Sequence, residues 1–537
     1  MKVGAIVITG RLCSGKTTLS AAIAQKFSAK LVTLKGLLEL ATGNPLAPSK
    51  LETSKAALDS QTNGRWVKEA LARHIVSIPG PYGVLVLDGL ESAAQVAGLR
   101  ELGFRVLHIH LHARDDVLWE RFRVAQEDAG ARKAFDARRR RWGATQEDLL
   151  VKAADAVIDT ERCSTDDVFA RVRARLEINP VTAHACVDVL IGGQFGSEGK
   201  GNVAHYLAPE YDVLVRVGGP NAGHKVYRSN DKPYTFKQLP SGFLGNSEAK
   251  LVIGAGGVIG LDTLRREIGE LQITPERLII DPQAMIIDPR DVEWEQKVLG
   301  PAIGSTAQGI GSATARKVLG RLPKSDVQLA KDEPLLKSFV GDTIEFFAGC
   351  IAEGKKIMLE GTQGTLLSLH HGFYPHVTSR ATTAAACLAE AGLTQRHVRR
   401  VVMVCRTYPI RVGDSTTGNT SGYMGKTIDF EEIARRSGVP LAEIKTTEVG
   451  SVSGRTRRIA EFDWHLLRRS LLLNGPTDLA LTFADYLGVQ NQTAFRYEQL
   501  TDDTQRFIGE LEQVSGLPVS LISTAFNERN IIDRRMW

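Results

Sequence analysis

Nearly continuous apolar runs alternate with amphipathic stretches through the first third of the chain. The runs at 3–9, 83–88, 106–111 and 156–159 have the length and composition of buried strands. Helical periodicity follows at 19–27, from position 115 onward and at 166–176. Because strands and helices alternate, this region is predicted to form a parallel sheet that helices cover on both faces.

The first apolar run leads into GRLCSGKT at 10–17, which fits the pattern G-x-x-x-x-G-K-[ST]. Strand, glycine-rich turn and helix in that order are the context of a P-loop, a backbone cradle for phosphates. Main-chain N–H groups around Gly10, Ser14 and Gly15 would surround a β-phosphate. Lys16 would bridge the β- and γ-phosphates, and the hydroxyl of Thr17 would hold Mg²⁺.

Two further features complete the predicted nucleotide domain. Asp88 ends the second apolar run, a position suited both to a Mg²⁺-bound water and to capping a turn. Arg138 to Arg141 form an unbroken basic run, which fits either a functional surface or a solvated helix face. With a last strand at 156–159, this order resembles nucleoside and nucleoside monophosphate kinases. The resemblance implies a mobile lid of arginines over the transferring phosphoryl group, and it leaves the phosphoryl acceptor open.

The rest of the chain begins with two glycine-rich loops that each follow an apolar run. GQFGSEGKG at 193–201 follows 187–191, and GGPNAGH at 218–224 follows 211–217. Glycines let the main chain approach a bound group closely, and Lys200 can neutralise a phosphate as a point charge. N–H groups around Gly196, Gly199 and Gly201 would face a donor nucleotide at the start of the next helix. The second loop is predicted to bring His224 beside the first.

Length and composition limit the class of protein. The 537 residues exceed a single core, and Pro180, which ends a predicted helix, is taken as the boundary between domains at 1–180 and 181–537. A net charge of +6 suits anionic small molecules and is too weak to argue for nucleic-acid binding. The six cysteines lack metal-type spacing, and neither a signal peptide nor a membrane span is evident. We therefore expect a cytoplasmic protein with no membrane partner.

Both glycine loops and five later segments resemble adenylosuccinate synthetases, in that family's order. The later segments are 303–311, 360–367, 371–378, 450–458 and 481–485. The resemblance implies an α/β ligase that acts as a homodimer with Mg²⁺ and uses GTP to join L-aspartate to IMP. It implies recognition of the donor base by Asp485 and a metal contact through Gly223. The substrate contacts that it implies are Asn221, Thr306, Gln363, Thr378, Ser453, Arg455 and Arg457.

The expected chemistry accounts for these residue types. A purine C6 oxygen leaves poorly, but a γ-phosphoryl group transferred onto it creates a leaving group that the amine of aspartate can displace. Such transfer depends on positioning and charge stabilisation, which the 193–201 loop with Lys200 and Mg²⁺ would supply. His224 would donate to the oxygen or act as an acid. Arg455 and Arg457 could form forks with the carboxylates of aspartate, a geometry that lysine cannot give.

Ser197 departs from the family, which has a catalytic aspartate between the Gly and Glu of this loop. A serine hydroxyl is neither a useful base near neutral pH nor a good Mg²⁺ ligand. The change therefore indicates either an inactive enzyme or a different purine. Because serine is small and uncharged, a 2-amino group could fit beside it, which would admit GMP or dGMP. Phage 2-aminoadenylosuccinate synthetases, which act on dGMP, carry such a replacement.

Two further departures concern the donor and the dimer. Phe483 replaces the family's lysine beside the donor guanine, whereas Asp485 is kept. The sequence therefore leaves both ATP and GTP as candidate phosphoryl donors. The region between 487 and 517 is short, as in the phage relatives. The family also extends an arginine across its dimer interface, and Arg321, one position off, is the nearest candidate.

The sequence thus predicts a P-loop kinase-like parallel-sheet domain fused to an adenylosuccinate synthetase-like α/β domain. The second domain is expected to be an NTP-dependent ligase for aspartate and IMP, GMP or dGMP. The first is expected to phosphorylate a nucleotide that the ligase uses or makes. The alternative is a binding module, in which Ser197 has ended catalysis and a bound purine nucleotide regulates the kinase domain.

Overall fold

The structure is a computed structural model, and it falls into two compact units, 1–180 and 181–537, which are described separately. Within the described residues, none of the helices combines the length and apolar character needed to cross a membrane. The residues that the structure describes are 4–26, 29–47, 50–75, 84–101, 105–125, 131–142, 144–161, 163–176, 185–227, 233–450, 454–526 and 530–535.

The first unit is built on five strands and nine helices among its described residues. The strands are β1 (Gly4–Gly10), β2 (Lys30–Thr33), β3 (Val84–Asp88), β4 (Arg105–His112) and β5 (Ala156–Asp159). The helices are α1 (Lys16–Lys26), α2 (Leu34–Thr42), α3 (Leu51–Thr62), α4 (Trp66–Ile75), α5 (Ala93–Glu101), α6 (Asp115–Ala125), α7 (Ala131–Trp142), α8 (Ala144–Ala153) and α9 (Thr165–Leu176).

All strands of this sheet are parallel, in the order β2-β3-β1-β4-β5. Successive residues of β1 pack into opposite clusters, Ala5 and Val7 on one face and Ile6 and Ile8 on the other. The predicted P-loop kinase-like fold class is confirmed. β2 was not predicted, because only Val32 of its four residues is buried and the apolar pattern is correspondingly weak.

The second unit contains a large sheet and several short strands. The strands are β6 (Val187–Gly192), β7 (Val213–Arg216), β8 (His224–Val226), β9 (Tyr234–Phe236), β10 (Lys250–Ile253), β11 (Val258–Ile259), β12 (Leu278–Ile280), β13 (Met285–Ile286), β14 (Ile357–Glu360), β15 (Val398–Arg406), β16 (Ile410–Arg411), β17 (Thr427–Ile428), β18 (Arg458–Ala460), β19 (Asp478–Thr482), β20 (Val519–Ser523) and β21 (Ile531–Asp533). The helices are α10 (Lys200–Leu207), α11 (Leu261–Glu270), α12 (Pro289–Lys297), α13 (Leu299–Ile303), α14 (Ile310–Leu319), α15 (Thr343–Ala352), α16 (Ala384–Ala391), α17 (Phe430–Ser437), α18 (Leu441–Thr447), α19 (Trp464–Asn474) and α20 (Asp502–Ser515).

The large sheet has the order β12-β10-β7-β14-β6-β15-β19-β20-β21, and only the β20–β21 pair is antiparallel. The central strand β6 is buried throughout. Val187, Val189 and Ile191 pack into one core cluster, and Leu190 packs into the other. Since neighbouring strands are parallel, the loops after β6, β7, β14, β15 and β19 emerge at one edge of the sheet, where ligands bind in open α/β folds.

Candidate active site

The glycine loop 193–199 connects the carboxyl end of β6 to α10. Gly196 and Gly199 have φ angles of 102° and 84°, left-handed conformations that favour glycine. A Cβ on Gly196 would lie 3.1 Å from the Cα of Gln363, and one on Gly201 would lie 3.0 Å from the Cβ of His224. Glycine at these positions therefore lets the loop and α10 lie directly against the segments that carry Gln363 and His224.

Lys200 and Glu198 form a buried ion pair at the start of α10. Lys200 Nζ lies 2.6 Å from Glu198 Oε2, and both side chains are 1% exposed. Glu198 Oε1 accepts hydrogen bonds from the main-chain N–H groups of Gln194 and Gly196, at 3.1 and 2.7 Å. Lys200 is thus held on the wall of a cavity with its charge balanced by a carboxylate of the same loop.

His224 begins β8 and is fixed through Nδ1, which is hydrogen-bonded to Glu360 Oε1. Glu360 ends β14 and also accepts hydrogen bonds from the hydroxyl and the main-chain N–H of Ser241. Burial raises the pKa of Glu360, but His224, Arg216 and Ser241 outweigh it and lower that pKa to about 2. Glu360 is therefore an ionised carboxylate that orients the imidazole ring.

Burial and, secondly, the charge of Arg216 lower the pKa of His224 to about 4. At pH 7 the imidazole is consequently neutral, with Nδ1–H donated to Glu360. Nε2 is buried and has no hydrogen-bond partner in the described part of the protein. An imidazole held at one nitrogen and unpaired at the other, on a cavity wall, can exchange a proton with a bound ligand.

Two cavities at this edge of the sheet share part of their lining. The lysine cavity is lined by Lys200, His224 and Asp485, and the glutamine cavity is lined by Asn221, Thr306, Gln363 and Thr378. The residues that line both are Gly196, Ser197, Gly223 and Arg457. Groups bound in the two cavities can therefore meet beside Ser197.

In the glutamine cavity, Gln363 is held on both sides of its amide. Its Nε2 donates to Asn221 Oδ1 at 2.6 Å, and its Oε1 accepts from the Thr362 hydroxyl at 2.9 Å. Gln363 has a positive φ of 59°, a strained conformation for a residue with a side chain. Thr306 lies in the loop before α14, and Thr378 donates its main-chain N–H to Leu367 at 2.8 Å. The predicted purine and phosphate contacts are thus gathered in one cavity.

The lysine cavity has an aromatic wall and one buried carboxyl group. The rings of Phe483, Phe526 and Tyr227 contact one another in series, with centroid distances of 5.5 and 4.8 Å. Asp485 is 3% exposed, and burial raises its pKa to about 6. Such a surface can stack a base and hydrogen-bond to its edge.

The two predicted aspartate-binding arginines occupy different positions. Arg457 lines both cavities, and its NH1 donates to Glu448 Oε2 at 3.2 Å. Arg455 instead donates to the main-chain carbonyls of Gly304 and Asp414, at 2.6 and 3.1 Å. Ser453 lies outside the described residues.

Arg321 follows α14 and is exposed. Its Nε donates to the carbonyl of Val318 at 2.6 Å, and it is not among the residues that line either cavity. Within a single chain it therefore does not take part in the site.

The residues beside Ser197 fit Mg²⁺ only as additional ligands of an ion that phosphates hold. Among the described residues, no group of three or more His, Cys, Asp or Glu is arranged to bind a metal. Ser197, with its hydroxyl, and Gly223 are among the residues that line both cavities there. Mg²⁺ in nucleotide enzymes keeps several waters and takes most of its anionic ligands from phosphates.

In the first unit, the P-loop 10–17 connects β1 to α1. Lys16 Nζ donates to the carbonyls of Gly10 and Arg11, at 2.6 and 2.8 Å, and burial lowers its pKa. Thr17 is exposed, as a Mg²⁺ ligand must be, and Asp88 is buried at the end of β3. The structure thus places Lys16 against its own loop, with Asp88 at the end of β3, the strand that pairs with β1.

A cavity beside the P-loop is lined by Ser14, Gly15, Arg121 and Thr160. Arg121 is fixed there by hydrogen bonds to the carbonyl and hydroxyl of Thr160, at 2.7 and 2.9 Å. The predicted basic run lies in α7, where Arg139 pairs with Asp115 at 2.6 Å. The side chains of Arg138, Arg140 and Arg141 lie outside the described residues.

Sequence reasoning missed several residues of the second site, notably Lys225, Tyr227, Glu360, Arg406 and Glu448. Glu360 and Arg406 each end an apolar strand, which is the signal that identified Asp88 in the first unit. Lys225 and Tyr227 closely follow His224 along the chain but lie outside the motif that identified it, and Glu448 comes from a distant segment that carries no pattern of this kind.

Two cavities that open onto one glycine loop at the carboxyl edge of a parallel sheet define a nucleotide-binding α/β enzyme. The family model for adenylosuccinate synthetase matches residues 189–324 and 324–493, more than half of the chain. The chain therefore belongs to the adenylosuccinate synthetase family, and its second unit is an adenylosuccinate synthetase-like ligase.

Curated relatives and solved structures agree with this assignment. Adenylosuccinate synthetase of Methanocaldococcus jannaschii is 37% identical over 354 residues, which are 65% of this chain and 96% of that protein. The enzyme of Thermococcus onnurineus is 36% identical, over 65% of this chain and 98% of its own. The fully ligated Plasmodium falciparum enzyme shares the fold, with a TM-score of 0.56 and 22% identity over 65% of this chain and 100% of its own.

A phage enzyme is also similar to this chain. Cyanophage S-2L succinoaminodeoxyadenylate synthetase (PurZ) was solved with dGMP and with dATP as an energy donor. It has a TM-score of 0.55 and 26% identity, over 66% of this chain and 96% of its own.

Proposed function

We propose that residues 181–537 join L-aspartate to C6 of a guanylate, GMP or dGMP, at the expense of a purine nucleoside triphosphate. The observation that carries this proposal is the shared lining of the two cavities by Ser197, Gly223 and Arg457. A donor in the lysine cavity and a purine in the glutamine cavity would meet there, beside an arginine suited to a carboxylate of aspartate.

In this proposal the γ-phosphoryl group passes to the purine O6, the nucleoside diphosphate leaves, and the N1 proton must be accepted. Ser197 is a poor base, so the neutral His224, backed by Glu360, is the group on this wall suited to take that proton. The aspartate amine then attacks C6, the protonated imidazole donates its proton to the departing phosphate, and Nε2 of His224, neutral again, accepts the proton that the amine loses. Mg²⁺, held by phosphates with Gly223 and Ser197, would offset phosphate charge.

Two observations favour a guanylate over IMP. Ser197 offers a small neutral hydroxyl at the wall of the glutamine cavity, where an aspartate would place a larger charged group. The similar phage enzyme was solved with dGMP. A 2-amino group distinguishes guanylates from IMP, and a hydroxyl can accept its hydrogen bond.

For residues 1–180 we propose a nucleotide kinase activity. The placement of Lys16, Thr17 and Asp88 around one phosphate loop supports it. The acceptor is proposed to be a purine nucleotide that the ligase uses or makes, because the two activities occur on one chain.

The proposal includes a homodimer. Val318, Leu319 and Leu322, next to Arg321, are 53%, 79% and 67% exposed, an apolar surface that a second copy could cover. Sedimentation of the full chain should give twice the 58.5 kDa of one copy. A single-copy mass at micromolar concentration would contradict this part of the proposal.

The test is a substrate panel. The full chain is incubated with aspartate, Mg²⁺, ATP or GTP, and each of IMP, GMP and dGMP. The products are then separated by chromatography and identified by mass spectrometry. We expect a succinyl-purine from a guanylate, with less from IMP. Absence of product in every combination, together with tight purine nucleotide binding and a kinase rate that responds to it, would establish the binding module instead.

A further inference from the structure

Arg406 ends β15, and its buried guanidinium contacts parts of both cavities. It lies over the ring of Phe483, 3.7 Å from the centroid. Its NH1 donates to the main-chain carbonyl of Ser197 at 3.3 Å, and its NH2 donates to Glu448 Oε1. The side chain is 1% exposed, so these contacts are screened from water. One guanidinium therefore joins the aromatic wall, the serine of the shared lining and a buried carboxylate.

Glu448 follows α18 and is 0% exposed. Its Oε1 accepts hydrogen bonds from Arg406 and from the hydroxyl of Tyr486, the latter at 3.0 Å. Its Oε2 accepts from NH1 of Arg457 at 3.2 Å. The two arginines thus share one carboxylate: Arg457 binds Oε2, and Arg406 binds Oε1 through NH2 and also reaches Oε2 through NH1, at 3.5 Å.

We propose that Arg406 and Glu448 are positioning residues that keep Arg457 available for a carboxylate of aspartate and link it to the donor-base wall at Phe483. The inference rests on the proposed ligase function. Arg406 and Glu448 do not line either cavity, so they would act through Arg457, Ser197 and Phe483, which do.

Charge balance is the first reason. Two guanidinium groups and one carboxylate leave a net positive charge of one at the shared lining, which an incoming carboxylate can neutralise. Without Arg406, Arg457 and Glu448 would cancel each other, and the attraction for aspartate would be weakened to what Lys225 on the same cavity wall supplies. In a buried setting such a change is not masked by solvent.

Geometry is the second reason. Because Arg406 and Tyr486 occupy Oε1 of Glu448, Arg457 reaches this carboxylate through a single N–H group, which leaves its other N–H groups off Glu448. If Oε1 had no other partner, both oxygens of Glu448 could accept hydrogen bonds from Arg457 in a bidentate pair, the arrangement that arginine and carboxylates prefer. Arg457 would then be withdrawn from aspartate.

The planar guanidinium is the third reason. Stacking on Phe483 while donating in two directions in its own plane requires a flat, forked cation, and the ammonium of lysine cannot do both. Any movement of Phe483 when a base binds would therefore be transmitted to Ser197 and Glu448. The inference predicts that donor and aspartate binding depend on each other.

The test uses the full chain with Arg406→Lys, Arg406→Met, Glu448→Gln and the double variant Arg406→Met/Glu448→Gln. Arg400→Met is the matched control, because Arg400 lies on the same strand and pairs with Asp478 at 2.7 Å. Measurements are the thermal midpoint, kcat, KM for aspartate, and the affinity for a fluorescent ATP analogue with and without aspartate.

Arg406→Met should raise KM for aspartate about tenfold or more, as the loss of a charge-assisted contact predicts, with a smaller change in kcat. Arg406→Lys should also raise KM for aspartate, because an ammonium group cannot both stack on Phe483 and donate in two directions. The double variant removes both buried charges and leaves Arg457 with its own positive charge, so its thermal midpoint and its KM for aspartate should both recover toward the wild-type values. The effect of aspartate on analogue affinity should disappear in all Arg406 variants and persist in Arg400→Met.

A folded Arg406→Met protein with unchanged KM for aspartate would overturn the inference. So would a double variant in which aspartate still changes the affinity for the ATP analogue as it does in the wild type, since that is the behaviour of a structural ion pair. A wild-type protein that forms no succinyl-purine contradicts the proposed function itself, whereas an active wild type with unaltered variants contradicts only the positioning role.

Discussion

The two glycine-rich loops of this protein, each proposed to bind phosphate, are built differently. In the first unit, eight consecutive residues make the loop, and Lys16 is held by carbonyls of the same loop. In the second unit, the loop that carries Lys200 is completed by segments up to hundreds of residues away, among them those of Gln363, Arg457 and Asp485.

The difference concerns what each loop needs in order to work. A P-loop binds phosphate mostly through main-chain N–H groups, so its function depends on local backbone shape. The second site depends on side chains that the sheet brings together, so a change far away in sequence can remove one function and leave the rest. The following predictions exploit this contrast.

The largest effect is expected for His224→Asn in the ligase reaction. Asn can still donate to Glu360 from about the position of Nδ1 but has no counterpart of Nε2. Ligase kcat should fall by about 10²–10⁴-fold, the usual contribution of a general acid–base group. Steady-state rates of succinyl-purine formation measure it.

The matched control is His397→Asn, a histidine that is also buried but lies at the start of β15, away from both cavities. It should retain ligase activity. Equal losses in the two variants would show that His224 acts through stability alone.

The two lysines should separate the two activities. Lys16→Ala should reduce nucleotide phosphorylation by about 100-fold while succinyl-purine formation continues, because only the first unit loses its phosphate contact. Lys200→Ala should do the reverse. Assaying both reactions on each variant gives the result, and phosphorylation unchanged in Lys16→Ala would exclude the first unit as the kinase.

Ser197→Asp should change the choice of purine. An aspartate at the shared lining is larger than serine and would crowd a 2-amino group, so the ratio of kcat/KM for IMP over GMP should rise about tenfold or more. Competition between the two nucleotides measures that ratio. A ratio that does not move would remove Ser197 from purine selection.

The smallest expected effect is a pH dependence of donor choice. The pKa of Asp485 is raised to about 6, so the carboxyl is protonated below pH 6 and ionised above it. The protonated form can donate to N1 of adenine, and the ionised form accepts from N1–H and N2–H₂ of guanine. The kcat/KM ratio for GTP over ATP should therefore rise by a few fold between pH 5 and pH 7.

Asp485→Asn provides the control, since an amide does not titrate in this range. Its donor ratio should be flat with pH. If the wild-type ratio of kcat/KM for GTP over ATP were equally independent of pH, Asp485 would not contact the base of the donor nucleotide.

The sequence predicted the elements with strong patterns. The apolar runs that became β1, β3, β4 and β5 were found because buried parallel strands are apolar on both faces. β2 was missed because three of its four residues are exposed. Motif order was enough to place His224, Lys200 and Gln363 within one site.

Positions that depend on tertiary packing were not predictable. Arg455 and Arg457 are two residues apart in one motif, yet only Arg457 reaches the cavities, because Arg455 is occupied by carbonyls of other loops. The sequence around Glu448 gives no signal of its contacts, since its partners Arg406 and Tyr486 come from different strands and loops.

The internal pairing of Lys200 with Glu198 has a consequence for selectivity among anions. Any phosphate that approaches Lys200 must compete with a carboxylate that is already in place and already hydrogen-bonded to the main chain. Sulfate or free phosphate brings too few additional contacts to win this competition, whereas a triphosphate brings a base and a metal ion as well. We therefore expect the pair to favour nucleoside triphosphates over small inorganic anions at Lys200.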